Sequence, residues 1–121
     1  SLGRALDYAD HENLDVVRIA FSFLKGWPAF KWSDIQTYAE TFGGKGNDDA
    51  QRVFRESMLW LAGSILRGKD HGLEFLPPLI DGISLEKKIR LFDGLSEHFG
   101  RCVTGNLDKR FMILGAYMAF E

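Results

Sequence analysis

Between Met58 and Leu66 the chain carries no charge, and this run forms the second half of a longer stretch, Asp48 to Arg67. Within that stretch Ala50, Val53, Phe54, Met58, Leu61, Ala62 and Ile65 recur at helical steps of three and four, which places them on one helical face. In the first half Gln51, Arg52, Arg55 and Glu56 are left for solvent. In the second half no charged residue is left for any side. A helix that is apolar all round must be covered all round, so the rest of the chain has to wrap this segment.

Helical patterns flank it on both sides. The first candidate is short, Gly3 to Ala9, and a second runs from about Leu14 to Leu24, with Asp15, Arg18, Ser22 and Lys25 as a narrow polar stripe. Gly26-Trp27-Pro28 ends it, because proline disfavours helical geometry in the residue before it. Trp27, Phe30 and Trp32 crowd the connection and read as a lid over the core, with a binding platform as the alternative. Ser33 and Gln36 have capping-box spacing, ahead of a stripe of Ile35, Tyr38, Ala39 and Phe42 that stops at Gly43-Gly44. After the central helix comes a polar loop, Gly68 to Gly72, then a brief helix starting near Pro77 or Pro78.

Ser84 is placed to cap the next long helix, Leu85 to about Val103, whose inner face reads Leu85, Ile89, Phe92, Leu95, Phe99, Cys102 and Val103. Its outer face carries Glu86 with Arg90 and Glu97 with Arg101, each pair four apart in the favourable order. Gly105 closes this helix and Asn106 caps a last one, apolar from Phe111 to Phe120. With no strand pattern and no repeat, the chain predicts an all-α bundle of about six helices.

Composition fits that reading. The 121 residues suffice for one domain with its own core. Hydrophobic residues at 45% and charged residues at 26% argue against disorder. A formal charge of -2 supplies no basic field for avid nucleic-acid binding. The single Cys102 leaves no internal disulfide and suits a reducing cytosol. No signal-peptide pattern opens the chain, and the longest uncharged apolar run, Phe111 to Phe120, falls short of the roughly 20 residues a membrane helix needs. A soluble, cytoplasmic domain cut from a longer protein is expected, since the opening residues lack an initiator Met.

The residue types that carry chemistry do not converge. His98 and Cys102 share an i, i+4 spacing, but a structural zinc wants four ligands and no second local pair completes a set, so no metal site is assigned. Cys102 with His71 or His98 lacks a group to orient it as a nucleophile, and no catalytic residue or cofactor is assigned. Gly43-Gly44-Lys45-Gly46 is not a phosphate loop: a helix precedes it, and Gly46 stands where the magnesium-binding hydroxyl belongs. A helix-turn-helix drawn through Ser33 to Phe54 would present Gln51, Arg52, Arg55 and Glu56, with Asp48, Asp49 and Glu56 unfavourably close to phosphates.

What stands out is surplus hydrophobicity. Met58 to Leu66 and Phe111 to Phe120 are apolar all round, and Gly63, Gly94, Gly100 and Gly115 inside helices cost about 1 kcal/mol each against alanine, which suggests close helix–helix approach. One face is therefore expected to pack on another subunit, with a monomer whose core is well filled as the alternative. The final helix, with apolar residues to spare, supplies the interface candidates Arg110, Phe111, Leu114, Tyr117 and Met118.

Three elements carry a resemblance. Ser1-Leu2-Gly3-Arg4-Ala5-Leu6 resembles the G-S-x-G-x-A-L element that precedes the C-terminal helical domain of the delta prime subunit of bacterial DNA polymerase III. Phe54, Trp60-Leu61 and Ile65-Leu66-Arg67 resemble that family's central helix, and Asn106-Leu107-Asp108-Lys109-Arg110 resembles the N-L-D-R-K/R start of its final helix. The resemblance implies a clamp-loader collar domain over 13–121, preceded by the end of a lid region or linker over 1–12. Such collars hold the subunits of an AAA+ assembly that loads the sliding clamp onto primed DNA during replication. The implied partners are the gamma/tau and delta subunits, with DNA contacted only indirectly and no membrane. The nucleotide-binding module and zinc-binding cysteines of that family have no counterpart in these residues, so the implied fragment is a non-catalytic part of the polymerase holoenzyme. A free-standing helical DNA-binding or adaptor domain is the alternative.

Overall fold

A computed structural model describes residues 11–121, which fold as an all-α bundle with no strand among the described residues. Helix α1 (His11–Ser22) tightens into a 3-10 turn at Phe23–Gly26. It is followed by α2 (Trp32–Phe42), α3 (Asp48–Arg67), α4 (Leu76–Gly82), α5 (Leu85–Thr104) and α6 (Lys109–Met118). The expected helix at Gly3 to Ala9 lies outside the described residues. No described helix is long and apolar enough to cross a membrane.

The hub is α3. It packs against α1 and α5, and α4 lies along it as well. Met58, Leu61, Ala62 and Ile65 have no solvent exposure, while Leu59, Trp60 and Leu66 are half-buried, so the uncharged run is covered as its composition requires. The charged half of α3 behaves differently. Arg52 pairs with Glu56 at 3.2 Å on the surface. Helix α6 packs on α2 and α5 and meets α3 through side chains, with the Phe54 and Tyr117 rings 6.2 Å apart.

Two buried tyrosines tie the bundle to α1. Tyr38 donates its hydroxyl to the Val16 carbonyl at 2.9 Å, and Tyr117 donates to the Ala20 carbonyl at 2.7 Å. Ala20 lies in the last turn of α1, where carbonyls lack intrahelical partners. Burial raises both phenol pKa values, so each hydroxyl keeps its proton and remains a donor. The Trp27, Phe30 and Trp32 cluster is a lid, as the sequence predicts: Trp27 Nε1 donates to the Phe120 carbonyl at 3.2 Å, and the Phe30 ring meets Tyr117 edge-on at 5.9 Å.

Helix ends match the sequence in part. Ser84 accepts from the Lys87 amide at 3.3 Å, and Gly68, left-handed at φ 72, closes α3 with Lys69 N–H on the Ser64 carbonyl at 2.9 Å. The capping box at Ser33 does not form, because α2 begins at Trp32, two residues before the start that a Ser33 cap would set, and Ser33 falls inside its first turn. Nor does Asn106 cap α6. Asn106 takes the left-handed conformation (φ 51) that ends α5, and Asp108 is the cap, accepting from the Arg110 amide at 2.8 Å. Hydrogen bonds from Arg110 hold the Asp108 carboxyl down at about 2.

The inner face of α5 also differs from expectation. Leu91, Leu95, Phe99 and Cys102 are buried, whereas Leu85, Ile89 and Val103 are exposed. Leu91, Leu95, Phe99 and Cys102 share one narrow arc. Ile89 lies about a third of a turn from Leu95, beyond the reach of the neighbouring helices. The glycines divide similarly. A Cβ at Gly63 would stand 3.6 Å from the Phe92 ring and one at Gly115 would strike the His98 imidazole at 2.4 Å, but Gly94 and Gly100 face open space. Gly94→Ala and Gly100→Ala are therefore each expected to stabilise the fold by about 0.5–1 kcal/mol, read as a higher urea midpoint at unchanged m-value.

Candidate functional site

The five interface candidates fall into three environments. Phe111 and Met118 are 53% and 55% exposed and lie seven residues apart, two turns along the outer face of α6. Leu114, between them on that face, is half-buried against the core. Arg110 is exposed and held by Asp108, with Nη2 2.7 Å from Oδ2. Tyr117 is wholly buried and belongs to the core, where the opposite face of α6 also places Met112, Ile113 and Ala116. A fully apolar helix still needs one side against its own bundle, and Tyr117 is on it.

Behind the exposed face, His98 of α5 fills the space left by Gly115. Its Nε2 donates to the Met112 carbonyl at 3.0 Å, and its ring lies 5.3 Å from Phe111. The imidazole thus joins α5 to α6 and supports Phe111 from beneath. The Cys102 sulfur sits 3.9 Å from His98 Nε2, and burial pushes its thiol pKa up, away from the thiolate a nucleophile or metal ligand needs. Among the described residues no group of three or more His, Cys, Asp or Glu side chains could hold a metal ion. His71 stacks on Trp60 at 4.7 Å and bonds the buried Ser64 hydroxyl at 3.1 Å, which fastens the loop after α3.

Comparisons with family models, curated proteins and solved structures found no match. The site is therefore read from its own geometry. The residues drawn as a DNA-reading helix are largely occupied: Gln51 is buried and donates to the Phe42 and Gly44 carbonyls at 2.9 and 3.1 Å, fastening the glycine-rich turn. Arg55 is half-buried with its guanidinium 3.6 Å from the Met112 sulfur. Leu85 and Ile89 on α5, 65% and 45% exposed, are apolar surface that periodicity assigned to the core. Nothing in their residue types distinguished them from Leu91 and Leu95.

Proposed function

We propose that this chain is an oligomerisation module of the clamp-loader collar kind, the role its resemblance to the delta prime family implies, with no catalytic centre or cofactor of its own. The observation that carries the reading is the outer face of α6, where Phe111 and Met118 stand exposed on a helix whose other face is committed to the core. Scattered exposed apolar residues are ordinary, but a pair two turns apart on one helix forms a patch. Covering the remaining exposed half of such a side chain contributes about 1 kcal/mol, so two supply part of a micromolar association. The partners would be the collar domains of the gamma/tau and delta subunits in the cytoplasm, with DNA reached through the assembly.

Sedimentation velocity of the chain mixed with the collar of the motor subunit tests this. A shift to a larger species at micromolar concentration is expected, and Phe111→Asp with Met118→Asp should abolish it while the thermal melt stays where it was. Leu114→Asp is a poorer probe, because that side chain also packs on the core. An unshifted boundary for the unaltered chain would sink the proposal. Retention of duplex DNA in a gel shift at physiological salt would support the free-standing DNA-binding alternative instead.

A further inference from the structure

Arg55 is half-buried without a counter-ion. Its only bonded partner is the Met112 sulfur at 3.6 Å, a weak acceptor for a group so rich in donors. It forms no ion pair among the described residues, because Glu56, the next residue, lies 3.2 Å from Arg52 instead. Nor does it cap α5. The Arg101 carbonyl there is taken by the Gly105 amide, and the Cys102 carbonyl by the Leu107 amide and Lys109 Nζ. Burial is the largest influence on its guanidinium pKa and lowers it. A partly buried charge is ordinarily paired, so this one is built to receive an anion.

The residue stands at one end of an apolar furrow. Phe54 meets Phe99 at 6.1 Å, and further along α3 a Cβ at Gly63 would stand 3.6 Å from the Phe92 ring, so α3 and α5 lie side by side and antiparallel. Leu59, one turn from Arg55, and Leu66 flank Gly63 on the same side of α3 and are half-buried. Across the furrow α5 presents half-buried Phe92, with Ile89 and Leu85 45% and 65% exposed. At the far end Arg67 lies over Gly63, its Nη1 3.2 Å from that Cβ position, and it too has no ion pair among the described residues.

We propose that this furrow docks an amphipathic helix of a partner protein, its apolar face on Leu59, Ile89 and Phe92 and one carboxylate on Arg55. Charge selects the occupant. Glu56, Glu86 and Glu97 are engaged by Arg52, Arg90 and Arg101. Asp48 and Asp93 form no ion pair, but Asp48 opens α3 two turns before Arg55 and Asp93 is exposed on the outer side of α5. The furrow itself is left with the two arginines. A guanidinium receives a carboxylate through paired hydrogen bonds, and partial burial strengthens them. A run of phosphates fits poorly, since Asp48, Asp49 and Glu56 on the same helix would repel it. From Arg55 to Arg67 the furrow is about 18 Å long, the reach of about three helical turns. The inference goes beyond the assembly reading and does not use the Phe111 face.

The probe is a helical peptide of about 15 residues with one glutamate and leucines four, seven and eleven positions after it. It is titrated into the ¹⁵N-labelled 121-residue chain alongside a counterpart with glutamine for the glutamate. The glutamate peptide should bind at least about tenfold more tightly and move the Leu59, Gly63, Ile89 and Phe92 amides. Arg55→Met keeps the buried stem, so the two peptides should then bind alike with the melting temperature unchanged. Ile89→Asp should weaken both peptides to the same extent, which separates the apolar contact from the carboxylate. The same titration on the Phe111→Asp, Met118→Asp variant should be unchanged, so failure of the assembly reading leaves this result readable. Equal binding of the two peptides, a preference that survives Arg55→Met, or shifts elsewhere on the surface would each overturn the proposal. So would duplex DNA binding at physiological salt that Arg55→Met abolishes, which would assign the guanidinium to a phosphate. Movement of the same amides with protein concentration alone would overturn it as well, by assigning the furrow to a second copy of the chain.

Discussion

Tyr117→Ala is expected to destabilise the fold by about 3–5 kcal/mol, measured as a fall in the urea midpoint. The side chain has no exposed surface and sits where α6, the lid and the central helix meet. Its ring lies 5.7 Å from Phe23, 5.9 Å from Phe30 and 6.2 Å from Phe54, so truncation opens a cavity bounded by aromatics that cannot collapse inward without losing their own contacts. The hydroxyl adds a second component, since its bond to the Ala20 carbonyl joins positions 97 residues apart. Tyr117→Phe isolates that component and should cost about 1–2 kcal/mol, because it leaves a buried carbonyl without its donor. A Tyr117→Ala cost below about 1 kcal/mol would mean that α6 is not seated on this core.

Gly43→Ala is expected to cost about 2–3 kcal/mol through overpacking alone. The residue has φ -83, an ordinary value for any amino acid, so backbone strain is not involved. Two obstacles meet a Cβ at Gly43: the Ala39 carbonyl of α2 and the start of α6, with Arg110 Cγ 2.5 Å and the Arg110 backbone nitrogen 2.8 Å away. A side chain can turn aside, but a main-chain atom moves only with its helix. Adding Arg110→Ala should therefore recover only part of the loss, and hydrogen exchange should show the first turn of α6 opening before the rest of the bundle. Full recovery would place the clash in the arginine side chain and show that neither the Ala39 carbonyl nor the main chain of α6 presses on this point. The contrast with Gly94 and Gly100, where alanine should stabilise, makes the three substitutions a test of where helices touch.

Much of the fold is legible from residue order. Asp48 to Arg67 is a helix with the expected bounds, amphipathic at one end and covered at the other. The helix beginning at the prolines, the Ser84 cap and the Gly68 stop also follow from local chemistry, which acts within a few residues of chain. Local chemistry erred where two neighbouring residues offered similar roles. Asn106 and Asp108 are both competent caps, and the left-handed turn that ends α5 takes the asparagine. Ser33 lost its capping place when Trp32 was drawn into the helix.

The candidate site was legible in outline. An apolar last helix pointed to a segment that does leave apolar side chains exposed, but Tyr117 and Met118 look alike in sequence and have opposite fates. A helix with no polar stripe carries no mark of which side faces inward. Packing against α2 and α5 supplies that mark, and it sends Tyr117 to the core and Phe111 and Met118 to the surface. The furrow beside Arg55 depends even more on tertiary structure, because its walls come from α3 and α5, which only packing sets side by side. The sequence by itself determined the class of fold, the hub helix and the surplus of apolar surface, since these rest on periodicity and on the need to cover an uncharged helix. Only the tertiary structure decided which apolar residues are spent inside and which glycines are required, because those depend on distances between segments far apart along the chain.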